Sequence, residues 1–267
     1  MIISTIMGRV TDIKNYLRQQ EIVRMLQTEQ IIRVSELINR FSVTPATIRR
    51  DLSVLERAGK IQRTRGEARI VQSQSIVLPF FQRSELQTSE KIAIAKTARD
   101  LIADNQAIIL DSGTTTLAIA QQLFNKKQLT VITNSIPISY VFANQDIEVR
   151  LSGGIVLPAH MALIGPDAEA YFRGIQVDIC FIGASGVRSG SGFTTSSPFE
   201  CSIKQQMMRA ARQVVTVVDS SKFSISRIIE FARFEEINKL ITTYPINDKE
   251  SLSRLEKLGV EIIYAQV

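Results

Sequence analysis

From about residue 89 onward the chain alternates short, mostly apolar strand-like runs with segments of helical periodicity, and few folds tolerate that alternation. The apolar runs lie at 107–111, 129–133, 147–152, 177–184, 214–219, 239–243 and 260–265. Helical patterns occupy 89–103, 115–124, 136–143, 166–173, 199–212 and 248–258. A strand with apolar residues at consecutive positions is buried on both faces, as Ile108-Ile109-Leu110 and Ile179-Cys180-Phe181-Ile182 would be, so helices must lie above and below it and the strands run parallel. The pattern predicts an open α/β domain over residues 89–267. No fixed-period repeat or low-complexity tract interrupts it.

The first 71 residues follow another pattern. A helix from Asp12 carries Ile13, Leu17, Ile22, Val23 and Leu26 on one stripe, and an extended piece follows at 31–34. Ser35 is placed to cap a second helix containing Leu37, Ile38 and Phe41. Then comes Thr44-Pro45-Ala46-Thr47-Ile48-Arg49-Arg50-Asp51-Leu52, with Thr44 as cap, Pro45 at the first helical position and Gly59 near the end. Ile48, Leu52 and Leu55 share one face of this third helix, which leaves Ala46, Thr47, Arg49, Arg50 and Arg57 on or beside the other. A small, basic, hydroxyl-bearing face suits entry into the major groove. Residues 61–70 read as a hairpin turning at Gly66, with Arg63, Arg65 and Arg69 at alternate positions. Helix, short helix, proline-capped helix and basic hairpin make a winged helix-turn-helix over residues 1–71. Its candidate DNA contacts are Ser35, Thr44, Ala46, Thr47, Arg49 and Arg50, with Arg63 and Arg65 on the wing.

Charge divides along the same line. Residues 1–75 hold 13 Lys and Arg against 7 Asp and Glu, whereas residues 76–267 hold 19 of each, so the net charge of +6 resides in the amino-terminal part. A basic segment ahead of a neutral body implies a polyanionic partner for the segment alone. Residues 72–88 read as a linker with an ordered Pro79-Phe80-Phe81-Gln82-Arg83 patch.

In an open α/β sheet, ligands gather at the carboxyl ends of the strands. Here the first strand runs into Asp111-Ser112-Gly113-Thr114-Thr115-Thr116 and directly into a helix, a hydroxyl-rich loop suited to cradling phosphate. Later strands end in Thr133-Asn134-Ser135, Ser152-Gly153-Gly154 and Gly183-Ala184-Ser185-Gly186. Together these ends predict a binding crevice. Glu200 and Lys204 share a helical face, and Lys222 follows the strand that ends at Asp219; salt bridges or solvated surface are open to them, as are contacts with ligand phosphate, carbonyl and hydroxyl oxygens.

Other chemistry is largely closed off. A single histidine, His160, makes no multi-histidine metal site, and Cys180 and Cys201 form neither a disulfide framework nor a metal-spaced cluster. No metal or cofactor is expected, and the two cysteines fit a reducing cytoplasm. No run approaches eighteen apolar residues, so no membrane partner is expected. The first residues lack a secretory pattern, and Met1 and Met7 are both candidate starts. His160 follows Pro158 and reads as loop surface; Cys180, Met207 and Met208 read as core.

These motifs, in this order over about residues 14–265 and including Gly165-Pro166, Asp178 ahead of Phe181-Ile182-Gly183, and Asp219-Ser220-Ser221-Lys222-Phe223, resemble the DeoR family of bacterial transcriptional regulators. The resemblance implies a repressor that binds operator DNA and is released or modulated by a phosphorylated sugar. It also implies a carboxyl domain similar to ribose-5-phosphate isomerase and CoA-transferase folds, with the loop 111–116 matching the isomerase phosphate loop. Two departures stand out: Arg65-Gly66-Glu67 where the family wing usually has His-Gly-Gly, and Ala184-Ser185-Gly186 where members often have Ala-Asp-Gly. Ser185 lacks the carboxylate that general-base proton transfer requires, which weighs against the alternative of a sugar-phosphate isomerase with an accessory DNA module. The expected function is therefore regulation of carbohydrate catabolism by a non-enzyme. The expected form is a homo-oligomer, dimer or tetramer, because one short recognition helix reads few base pairs.

Overall fold

The computed structural model describes residues 15, 18–19, 21–23, 25–26, 29, 31–57, 61–64, 66–70 and 78–267. Parts of the first helix, the 72–77 stretch, Arg65, Met1 and Met7 lie outside the described residues. The chain divides into two compact units, Met1–Ile76 and Val77–Val267.

In the first unit, described residues between 15 and 29 are helical and bury Ile22, Val23, Met25 and Leu26. Strand β1 (Ile31–Arg33), helix α1 (Val34–Phe41), helix α2 (Pro45–Arg57), β2 (Ile61–Thr64) and β3 (Glu67–Ile70) follow. The strands pair antiparallel in the order β1-β3-β2. Ile48, Leu52 and Leu55 of α2 are all but fully buried against Leu37, Ile32 and Ile61, as the spacing of four and three requires. Each such burial contributes about 1.5–3 kcal/mol. Thr44 accepts the Thr47 backbone N–H at 3.2 Å and so caps α2. The cap of α1 falls elsewhere than the sequence suggests: Arg33 is the capping position, and Ser35 lies exposed inside the first turn. Asp51, 2% exposed, accepts Arg18 Nε at 2.6 Å and Gln19 Nε2 at 2.9 Å and thereby fastens α2 to the first helix.

The second unit centres on a seven-stranded sheet of β4 (Ala107–Leu110), β5 (Thr130–Thr133), β6 (Glu148–Leu151), β9 (Val177–Ile182), β12 (Ala211–Val217), β14 (Lys239–Thr242) and β15 (Glu261–Tyr264). Its order is β15-β14-β12-β9-β4-β5-β6, and all neighbours are parallel. Side chains alternate between two cores: Cys180 and Ile182 face one, Ile179 and Phe181 the other. Helices α4 (Thr88–Asp100), α5 (Thr114–Ala120) and α6 (Ile136–Val141) cover the second face, while α7 (Pro166–Arg173), α8 (Pro198–Arg209) and α9 (Lys249–Lys257) cover the first. Met207 is fully buried in that first layer with Met208 beside it.

Small elements absent from the sequence-based reading complete the unit: a hairpin of β7 (Ile155–Leu157) and β8 (Ala162–Ile164), and an antiparallel sheet of β10 (Gly186–Arg188), β11 (Gly192–Thr195) and β13 (Ile229–Arg233). Residues 78–88, read from sequence as linker, fall in the second unit and carry α3 (Phe80–Glu85) with Phe80 buried. The order also fixes where the chain changes direction. From β4 it moves outward to β5 and β6, then returns to lay β9 against the other side of β4. Such a switch point opens a crevice at the carboxyl ends of the two central strands.

Candidate functional site

A cavity of about 340 Å³ occupies that crevice. Its walls come from the ends of β4 (Asp111, Ser112, Gly113, Thr114, Thr115), β9 (Gly183, Ala184, Ser185) and β12 (Asp219, Ser221, Lys222), with Glu200 and Lys204 of α8. Leu78, Arg83, Leu86, Gln87 and Lys91 close one side, and Ile225 and Arg227 another. Five cationic side chains therefore face three carboxylates around a space of metabolite size.

Asp111 holds the walls together. One carboxylate oxygen accepts the Gly113 N–H and the Thr116 hydroxyl, each at 2.8 Å; the other accepts the Gly183 N–H at 2.9 Å and the Lys204 ammonium. Lys204 also donates to the Gly183 carbonyl at 2.9 Å and lies 5.2 Å from the centre of the Phe231 ring. Glu200 accepts the Thr195 hydroxyl at 2.7 Å, and its second oxygen lies 2.7 Å from His160 Nδ1. Burial works to raise the Glu200 carboxyl, yet the hydrogen bond and charge of His160, helped by Lys204 and Thr195, hold it at about 2.

Across the cavity, Lys91 donates to the carbonyls of Arg83 and Leu86, which fastens the last turn of α3 to α4. Burial pushes this ammonium down to about 8, against an upward pull from Asp219, while Lys222 and Arg83 add to the depression. Asp219 accepts the Ser221 N–H at 3.1 Å with one oxygen, and Lys222 Nζ stands 3.7 Å from the other. Burial likewise lowers the Arg83 guanidinium, against the pull of Glu200 and Asp111.

In the first unit, Ala46, Arg49 and Arg50 lie exposed on the outer face of α2 with Thr47 half-buried beside them. Arg63 folds back on the same helix: its guanidinium donates to the Ser53 hydroxyl at 2.7 Å and lies 3.8 Å from Glu56. At the hairpin tip Gly66 takes φ +86°, a left-handed backbone that glycine adopts without strain, and its carbonyl accepts the Val34 N–H at 2.9 Å.

Two family models match the chain: a DeoR-like helix-turn-helix domain over residues 18–74 and a DeoR C terminal sensor domain over residues 86–244. The chain belongs to the DeoR family. It is 32% identical to the HTH-type transcriptional regulator GlpR of Haloferax volcanii over 92% of this chain and 96% of that protein. It is similarly 32% identical to the regulator GolR of Listeria innocua, over 93% and 98%. Among solved structures, the ribose 5-phosphate isomerase A of Methanocaldococcus jannaschii is similar at a TM-score of 0.37 and 21% identity, covering 50% of this chain and 53% of that one.

In this DeoR-family regulator, nine of the sequence-predicted effector residues meet at the cavity: Asp111, Ser112, Gly113, Thr114, Thr115, Ser185, Glu200, Lys204 and Lys222. Five do not line it. Thr116 turns its hydroxyl inward onto Asp111. Asn134 donates to the Leu163 carbonyl at 2.9 Å and Ser135 bridges to Ala162, so both join β5 to the β7–β8 hairpin. Gly153 and Gly154 form the exposed turn that starts this hairpin. At Gly154, φ is +112° and an added Cβ would stand 2.6 Å from the Ile164 carbonyl, so its glycine serves the backbone. These four residues follow β5 and β6, which lie on the far side of β4 from β9 and β12.

His160 is a further correction: it is buried, 4% exposed, and bonded to Glu200 where the sequence suggested loop surface. Arg83, Lys91 and Arg227 line the cavity and were missed. The usable signal was a lone arginine followed by a lysine among apolar residues, where a solvated linker needs no Leu78, Phe80 or Leu86. Among the described residues, no helix is long and apolar enough to cross a membrane, and no cluster of metal-binding side chains occurs.

Proposed function

We propose that this regulator represses genes of carbohydrate breakdown by binding operator DNA through its first unit, and that a phosphorylated sugar in the cavity of the second unit releases or alters that grip. The cationic surplus of a metabolite-sized cavity at the sheet's switch point carries this reading. The cations and the hydroxyl-bearing loop 111–116 attract the phosphate, and Ser185 is left to the sugar. A relative named as a putative aga operon transcriptional repressor, from Escherichia coli O157:H7 and 29% identical over 92% of each chain, supports repression.

Two of the three cavity carboxylates, Asp111 and Glu200, favour sensing over catalysis. Both oxygens of Asp111 already accept hydrogen bonds, and Glu200, held at about 2, is far too weak a base to take a carbon-bound proton near neutrality. The protein acts in the cytoplasm as a homo-oligomer, since a single α2 spans few base pairs and paired half-sites supply the missing specificity.

Ligand controls DNA binding only where it favours one conformation or assembly over another. The test is retention of the DNA upstream of the protein's own operon, at several salt concentrations, with and without a panel of sugar phosphates. The expected result is sequence-dependent, salt-sensitive binding that one phosphorylated sugar changes and its parent sugar does not. Sequence-independent binding, or indifference to every sugar phosphate, refutes the reading.

A further inference from the structure

Four of the five cations of the cavity, Lys91, Lys204, Lys222 and Arg83, are not equally available. Lys204 is held by Asp111 and the Gly183 carbonyl, Lys222 stands beside Asp219, and Lys91 donates to two backbone carbonyls. Arg83 differs. Among the described residues its side chain meets the Leu78 carbonyl through Nε at 3.1 Å, the Phe80 ring at 5.8 Å and the His160 ring, with no carboxylate in ion-pair contact.

The contact with His160 is the informative one. Arg83 Nη2 lies 3.5 Å from His160 Nδ1, but that nitrogen is only 2.7 Å from a Glu200 carboxylate oxygen. An ionised carboxylate can only accept, and two acceptors do not approach to that distance, so the Nδ1 proton points at Glu200. Arg83 therefore faces a donor there. Its outer nitrogens, on a half-buried guanidinium at the cavity wall, keep their donor capacity for something else.

We propose that Arg83 is the residue that grips the ligand's phosphate, through a forked pair of hydrogen bonds from its outer nitrogens. This rests on the reading of the cavity as a sugar-phosphate site and names the group that distinguishes a phosphorylated sugar from its parent. A planar guanidinium matches two phosphate oxygens at once, which an ammonium does not. Position gives the grip a second consequence. Arg83 sits on α3, a few residues after the boundary between the units at Ile76 and Val77, so bound phosphate holds the piece of chain that leads directly to the DNA-binding unit.

The experiment measures thermal stability of the full-length protein with inorganic phosphate, ribose 5-phosphate, glucose 6-phosphate and fructose 1-phosphate, against the unphosphorylated sugars at matched ionic strength. A ligand that binds the native state raises its melting temperature. If no phosphorylated compound does so in the wild type, the sugar-phosphate reading itself falls, and this proposal with it. Given a response, Arg83→Gln is expected to weaken apparent affinity for the phosphorylated compound about 10- to 100-fold, the loss of charge-assisted hydrogen bonds, while any binding of the parent sugar is unchanged. A wild-type response in Arg83→Gln overturns the proposal, as does equal loss for phosphorylated and parent sugars. If Arg83→Gln does not fold, Arg83→Lys keeps the stem and the charge; it is expected to bind phosphate about 3- to 10-fold more weakly, and unchanged affinity overturns the assignment.

Discussion

Lys204 of α8 donates to Asp111 at the end of β4, joining positions 93 residues apart, with both side chains almost wholly enclosed. The pair links the first strand of the second unit to a helix laid down late in the chain, at the wall of the cavity. Removing one partner leaves the other charge buried and uncompensated. Lys204→Met should therefore destabilise the second unit by about 3–5 kcal/mol. In urea unfolding, the double variant with Asp111→Asn should be less destabilised than the sum of the singles, with a coupling of about 1–3 kcal/mol. Strict additivity would show that the pair does not act as a unit.

Stability should fall in acid for a nameable reason. Glu200 titrates at about 2 in the folded protein, below its ordinary value of 4.5. Its depressed pKa contributes stability that is fully present above about pH 4.5 and is lost as pH falls toward 2, about 3 kcal/mol in all. Urea midpoints between pH 7 and pH 3 should decline less steeply in Glu200→Gln than in the wild type. Parallel declines would remove Glu200 from the account.

On the DNA side, Arg49→Ala and Arg50→Ala replace exposed side chains, so each should change stability by no more than about 0.5 kcal/mol. Each should weaken operator binding and, where the arginine contacts a phosphate, lower the slope of log affinity against log salt by about 1. Ligand-induced thermal shifts should be unaltered. A variant that loses the ligand response and the DNA together contradicts this division of labour.

Asp51→Ala tests the independence of the units. It strips Arg18 and Gln19 of a buried acceptor and should cost the first unit about 3 kcal/mol. Calorimetry should show a lowered transition for that unit and an unmoved one for the sensor unit. A common downward shift would mean that the two unfold together.

Local signals were read well where they depend on neighbours in the chain. Helix α7 runs from Pro166 to Arg173 as its proline start and following Gly174 dictate, and β9, apolar but for Asp178, is a strand buried on both faces. The α2 core face and the Thr44 cap follow from spacing alone. Strand order is different, because no residue in β5 or β6 says on which side of β4 it pairs. Asn134, Ser135, Gly153 and Gly154 thus carried the right chemistry at the right end of their strands but on the far side of β4 from the cavity. Arg83 and His160 escaped for a related reason: their meaning lies in Leu78, Glu200 and the β7–β8 hairpin, which only the folded chain brings beside them.

Laying β9 and β12 beside β4 also sets a schedule during synthesis. The first 76 residues form a compact unit of their own, whereas the cavity needs walls reaching as far as Arg227. At ordinary translation speeds, roughly 10–30 s separate the emergence of the two. For that interval the nascent chain carries its DNA-binding head without the cavity, and the proposed ligand control begins only when the last wall folds into place.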